Sequence, residues 1–156
     1  MPVVIGMRLT RWQLRLGALK KLAGHILQSV SEAEAFLSLE IVGDGRMRRL
    51  NRTFRHRDKT TDVLAFPMRE GPGPRSPLLG DIVISLPQAI RQARCHQQGI
   101  DHELVVLLIH GTLHLCGYDH EQGEGEARRM VRRERAVLRR IGPIPRLLVS
   151  RDSDRV

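Results

Sequence analysis

The chain has 156 residues, a size that suits one domain around one core, and 41% of them are hydrophobic, enough for a folded interior. Aromatic residues make up only 3%, so that interior must be mostly aliphatic. The 26 Lys and Arg against 17 Asp and Glu give a formal charge of +9, which points to a polyanionic partner and argues against a small neutral substrate.

In chain order, the apolar stretch at Met1 to Gly6 is too short for a signal peptide, and Val3 to Ile5 is expected to form a short strand. Thr10-Arg11-Trp12-Gln13 reads as a capping box opening a helix, with Trp12, Leu16, Leu19, Ala23, Ile26 and Val30 at helical spacing. Leu37, Leu39 and Ile41 alternate with Ser38 and Glu40, as in a half-buried strand. Gly43-Asp44-Gly45 is expected to turn the chain. Met47, Leu50 and Phe54 then suit a short helix with a basic outer face. Val63 to Phe66, ended by Pro67, reads as a strand, and Glu70 to Pro77, with three prolines and two glycines, reads as a loop. Ile82 to Ile84 is a further strand. Ser85-Leu86-Pro87-Gln88 forms a second capping box, with proline in the first turn.

Asp101 is placed to cap the next helix, with Ile100 packing on Val105 as a staple. That helix, Leu104 to Cys116, is apolar nearly all round and should be the buried central one. Its apolar run, Leu104 to Ile109, is far below membrane-spanning length. The last helix is expected from about Glu121 to Arg140. Its acids come early and its arginines late, which complements the helix dipole. Residues 1–142 should form a single domain, and 143–156 a basic, flexible tail. The class is α+β: a small mixed sheet of about four strands packed with about five helices.

The central helix carries the chemistry. His110 and His114 are four residues apart and share a helical face. Gly117 supplies a stop, and His120 follows it. Three imidazoles converging from a helix and the loop after it, with a fourth position open, is the layout of a catalytic zinc site. The spacing also occurs in metzincin proteases, which carry Glu directly after the first His as general base. Here that position is Gly111, which has no side chain to accept a proton. Cys95 and Cys116 make no disulfide framework, and a reduced cytoplasmic setting is the simpler reading. Cys116 is expected to be a buried small side chain and not a ligand.

Together, Leu50-Asn-Arg-Thr-Phe-Arg55 through Asp62-Val-Leu-Ala-Phe-Pro67, Leu79-Gly-Asp-Ile-Val-Ile84 and His110 to His120 resemble the bacterial YbeY family. Met130 and Glu134 fall where that family carries a helical M-x-x-x-E. The resemblance runs from about Val3 to Ile141. It implies a metal-dependent single-strand endoribonuclease acting in ribosomal RNA maturation, at the 16S 3′ end, and in ribosome quality control. It implies one zinc per chain on His110, His114 and His120, and a functional arginine at Arg55. Thr60 stands where the family often has proline, a local change in stiffness.

Elementary chemistry agrees with what the resemblance implies. Phosphodiester cleavage needs a Lewis acid at the phosphoryl oxygens and a cation for developing charge. A guanidinium grips phosphate bidentately and stays charged, so Arg55 suits the second need, with Arg57 or Lys59 as further candidates. Catalysis is expected to rest on Arg55 and on His114, the latter through the metal. The seven cations from Arg46 to Lys59 against one acid, Asp58, would make a phosphate-tracking surface. The proton carrier stays open between Asp119, Glu121 and neither, and the nucleophile between water and the RNA 2′-hydroxyl. The expected partners are single-stranded RNA and ribosomal subunits, with no membrane and no DNA. The competing readings are a non-catalytic RNA-binding assembly factor in which zinc only staples a loop, and a zinc peptidase.

Overall fold

In the computed structural model, residues 3–69 and 76–151 are described, with the backbone alone for His120, Ser150 and Arg151. The expected loop from Glu70 to Pro77 therefore lies mostly outside the described residues. The elements run β1 (Val3–Met7), β2 (Trp12–Leu14), α1 (Leu16–Ser29), β3 (Phe36–Val42), α2 (Asp44–Arg55), β4 (Val63–Pro67), β5 (Leu78–Ser85) and α3 (Leu86–Cys95). They continue with α4 (Ile100–Leu115), a 3-10 turn (His120–Gln122), α5 (Glu124–Ile141) and β6 (Leu148–Arg151). Among the described residues, five helices and a mixed four-stranded sheet bear out the α+β class.

The sheet has the order β1-β3-β5-β4, with β1, β3 and β5 parallel and β4 antiparallel to β5. Alternation along the strands divides the interior. Leu37, Leu39, Ile41, Ile82 and Ile84 face the main core with α1, α4 and α5. Val42, Leu64 and Val83 join Met47 of α2 in a smaller cluster. The main core buries α4: Leu104, Leu108 and Ile109 are at most 1% exposed. Each such side chain contributes roughly 1.5–3 kcal/mol relative to exposure. Truncating Leu108 to Ala would cost roughly 2–5 kcal/mol and loosen the helix that carries the histidines. Close approach of α4 to the sheet explains Gly111. A Cβ there would lie 3.1 Å from Ile82 Cδ1 and Cγ2. At Gly80, with φ +153°, a Cβ would lie 2.4 Å from the Phe66 carbonyl oxygen, so only glycine fits between β5 and β4.

Several local expectations give way to long-range partners. Thr10 to Gln13 does not open a helix: Trp12–Leu14 is a strand paired antiparallel with β6, and α1 begins at Leu16 with no side-chain cap. The tail is correspondingly not free from residue 143. Leu147 is fully buried, and Leu148–Arg151 is β6. The rest of the expected tail, 152–156, lies outside the described residues. Asp101 does not cap α4, whose N-cap is Gly99. Its Oδ1 instead accepts from the Leu147 and Leu148 amides, both at 2.9 Å, which ties β6 to the first turn of α4. With Gly99 at the cap, Ile100 is the first helical residue and not the preceding staple. Gly43 is an N-cap and not part of a turn, so α2 starts directly at Asp44. Gly123, at φ +125°, separates the 3-10 turn from α5 and moves the helix start from Glu121 to Glu124. Of the second capping box only half forms: Ser85 Oγ accepts from the Gln88 amide at 3.4 Å, while the Ser85 amide donates to the Asp62 carbonyl and the Gln88 side chain accepts from Arg91.

Candidate active site

α4 presents its two histidines to a cleft of about 650 Å³. The His110 and His114 rings stand 4.9 Å apart between centroids, at 62°. This is the shared face that four-residue spacing predicts. Behind them, His110 Nδ1 lies 2.6 Å from Glu134 Oε1 of α5, and both side chains are mostly covered, at 27% and 22% exposure. A carboxylate on Nδ1 favours the proton there and makes Nε2 the acceptor nitrogen, the form that binds a metal.

The chain after α4 turns sharply. The Gly117 amide donates to the His114 carbonyl at 3.0 Å, with Gly117 at φ +98°, and the Tyr118 amide donates to Leu113 at 3.0 Å. Asp119 then caps the 3-10 turn, its Oδ1 accepting from the Glu121 amide at 2.9 Å. Asp119 and Glu121, on either side of His120, both line the cleft. The His120 backbone therefore belongs to the turn that returns to the histidines, while its side chain lies outside what is described. Among the described residues no three His, Cys, Asp or Glu side chains gather as a metal cluster. Cys116 is half-buried at the end of α4, not fully buried as expected, and Cys95 is exposed.

A second group of residues reaches the cleft from the end of α2, the segment after it and β4. Arg55, Arg57 and Lys59 all line the cleft, so the expected cationic residues and the two described histidines share one space. Arg55 Nη2 donates to the Ala65 carbonyl at 2.9 Å, which aims its guanidinium along β4. The segment from His56 to Asp62 is anchored, not loose. Asn51, 3% exposed, donates from Nδ2 to the Lys59 carbonyl at 2.9 Å, and its own carbonyl receives the Arg57 amide at 3.3 Å. Asp44 Oδ1 accepts from Thr60 at 3.2 Å, Ser85 at 3.0 Å and Arg91 at 2.9 Å, joining α2, the segment before β4 and α3. The Arg91 hydrogen bond above all holds the Asp44 carboxyl below its usual range, against the opposing effect of burial.

The broad phosphate-tracking surface expected from Arg46 to Lys59 is narrower than its charge count suggests. Arg48 pairs with Asp58 through Nε at 2.9 Å and Nη2 at 3.1 Å, and Arg52 lies 3.9 Å from the same carboxylate. Arg46 faces Glu40 at 3.8 Å. Sequence reasoning did not find the roles of Glu134, Asn51 and Asp44. Glu134 is 24 residues from His110, and the M-x-x-x-E pattern was its only signal. Asn51 lay inside the Leu50-to-Arg55 segment that carries the resemblance, but nothing in that segment indicated that it would be buried.

Residues 7–142 match the family described as Endoribonuclease YbeY. An Endoribonuclease YbeY of Geobacter metallireducens is 42% identical over 148 residues, covering 91% of this chain and 99% of that protein. One from Bordetella pertussis is 45% identical over 136 residues, covering 86% and 85%. One from an Anaeromyxobacter strain is 48% identical over 124 residues. That match covers 80% of this chain but spans only 64% of the Anaeromyxobacter protein's own length. Among solved structures, the solution structure of a Thermotoga maritima protein shares the fold at a TM-score of 0.62 and 24% identity. The match covers 89% of this chain and 88% of that one.

Proposed function

The chain belongs to the YbeY family, and from that premise we propose that it is a zinc-dependent endoribonuclease that cuts single-stranded RNA. Its work in this reading is ribosomal RNA maturation at the 16S 3′ end and quality control of ribosomal subunits, in the cytoplasm. The observation that carries the reading is one cleft lined both by the Glu134-backed histidine pair and by Arg55, Arg57 and Lys59. The relatives, each an Endoribonuclease YbeY, supply RNA as the substrate class.

The donor chemistry fits a zinc ion on His110, His114 and His120. The first two rings are adjacent, Glu134 sets the tautomer of one, and both neighbours of His120 reach the same cleft. When bound, zinc supplies a Lewis acid for the phosphoryl group. Arg55 binds the phosphate and offsets charge that develops on its oxygens, held in place by the Ala65 carbonyl. Arg57 and Lys59 draw the flanking backbone into the cleft. The peptidase reading lacks its general base, because Gly111 stands where the metzincin glutamate would accept the proton.

The reading is tested by incubating zinc-loaded protein with single-stranded and duplex RNA of the same sequence, before and after chelation, beside His114→Ala as a guard against contaminating nuclease. It requires cleavage of the single strand, loss on chelation, recovery with zinc and none in the variant. Equal cleavage by His114→Ala, or undiminished cleavage after chelation with no metal left on the protein, would contradict it.

A further inference from the structure

Phe54 is 58% exposed, one residue before Arg55 in the last turn of α2. Of the chain's three phenylalanines, Phe36 and Phe54 are both exposed, at 49% and 58%, and Phe54 is the one that directly precedes the cleft-lining Arg55. Met47 of the same helix is fully buried against β4 and β5. Phe54 extends that face past the covered region. Its ring meets the Phe66 ring edge-on, at 5.3 Å between centroids and 67°. The Arg55 guanidinium carbon lies 5.9 Å from the centroid of that same Phe66. Phe66 is thus a common support for an exposed aromatic face and a cationic fork, and the Arg55 anchor on Ala65 fixes the fork beside it.

An unpaired nucleotide offers two things within one sugar-phosphate step, an anionic phosphate and a flat base. We propose that Phe54 is a base-stacking platform: the base of a nucleotide adjoining the phosphate at Arg55 lies on its exposed face. The proposal rests on the ribonuclease reading above and gives it a source of strand selectivity. A duplex keeps its bases stacked on one another, whereas a single strand presents them to aromatic side chains. Charge complementarity favours RNA over an apolar peptide as the occupant, because Arg55 shares the Phe66 support and lines a cleft with Arg57 and Lys59. Every base has a π face, so Phe54 confers preference for unpaired RNA with little sequence preference.

The test compares wild type, Phe54→Ala and Phe54→Trp, each zinc-loaded, for affinity toward a short single-stranded RNA and toward copies carrying one abasic position at successive sites. The exposed position leaves zinc content unchanged in all three. Phe54→Ala should weaken binding of the intact strand by roughly 5- to 150-fold, the range for losing one base–aromatic stack. Phe54→Trp should match or exceed wild type. At one abasic position the wild type should fall to the affinity of Phe54→Ala, and the variant should lose nothing further. Wild-type affinity in Phe54→Ala overturns the platform while leaving the ribonuclease reading intact. So does an equal further loss from every abasic site in wild type and variant. A wild-type protein that neither binds nor cuts RNA overturns both.

Discussion

His110 and His114 stand on α4, where Leu104, Leu108 and Ile109 are at most 1% exposed, and their backing carboxylate comes from a second packed helix. Arg55, Arg57 and Lys59 stand on the last turn of α2 and the exposed segment after it, held by polar bonds from Asn51 and Asp44. Metal geometry tolerates little displacement, and in the zinc reading proposed above His110 and His114 sit on a helix whose rotation would empty part of the core. Phosphate attraction acts over several ångströms and tolerates a moving lysine, and in the same reading the cations that would meet it sit where solvent reaches them. The two sides should therefore fail differently: one by losing its metal, the other by losing RNA while the metal stays.

The largest effect that sharpens this contrast should come from Glu134→Ala. Loss of the carboxylate on His110 Nδ1 frees the ring's tautomer and orientation, and zinc affinity should drop roughly 10- to 100-fold. A competition titration with a chelator measures it. An unchanged affinity would remove α5 from the site. Next in size is the double change Arg57→Gln with Lys59→Gln. Zinc content should hold, binding of single-stranded RNA should weaken, and the slope of log affinity against log salt should flatten by about 1.4, two phosphate contacts' worth. An unchanged slope would move the RNA off this side, most directly onto the arginine-rich face of α5.

The smallest effect is on stability. In Asp44→Asn the ion pair to Arg91 is lost. Both groups are substantially exposed, so the cost at neutral pH should be about 1 kcal/mol or less. The sign with pH follows from the depressed carboxyl. Wild type should hold its advantage above the ordinary value of 3.8 and lose it as pH falls through the lower folded-state value. Urea melts of both proteins from pH 7 to pH 3 would show the curves converging. A gap that stays constant to the lowest pH would show that Asp44 acts through packing and not charge.

The same division governs how much could be read from the sequence. The shared face of His110 and His114, the aliphatic run of α4, the alternation in β3 and the Ser85 N-cap are local patterns, and each is kept in the fold. Thr10 to Gln13 and Asp101 carried equally good local signals for helix starts. They failed because their partners are far away in the chain: β6 for Trp12–Leu14, and the Leu147 and Leu148 amides for Asp101. At the site, the adjacent histidine pair was legible because helical periodicity encodes it. Glu134 and Asn51 were not, because what they do depends on which element folds against them. The charge count overstated the RNA surface for a related reason. Only folding shows that Asp58 already occupies Arg48 and Arg52.

The central claim is that two separately built sides make one active site. It is tested most directly by measuring zinc content and single-stranded RNA cleavage together in wild type, His114→Ala and Arg55→Ala. The account predicts that His114→Ala loses both zinc and cleavage. It predicts that Arg55→Ala keeps its zinc yet cuts at least about 100-fold more slowly, the scale of losing one charged contact at the reacting group. Wild-type cleavage by Arg55→Ala, or loss of zinc with it, would contradict the account.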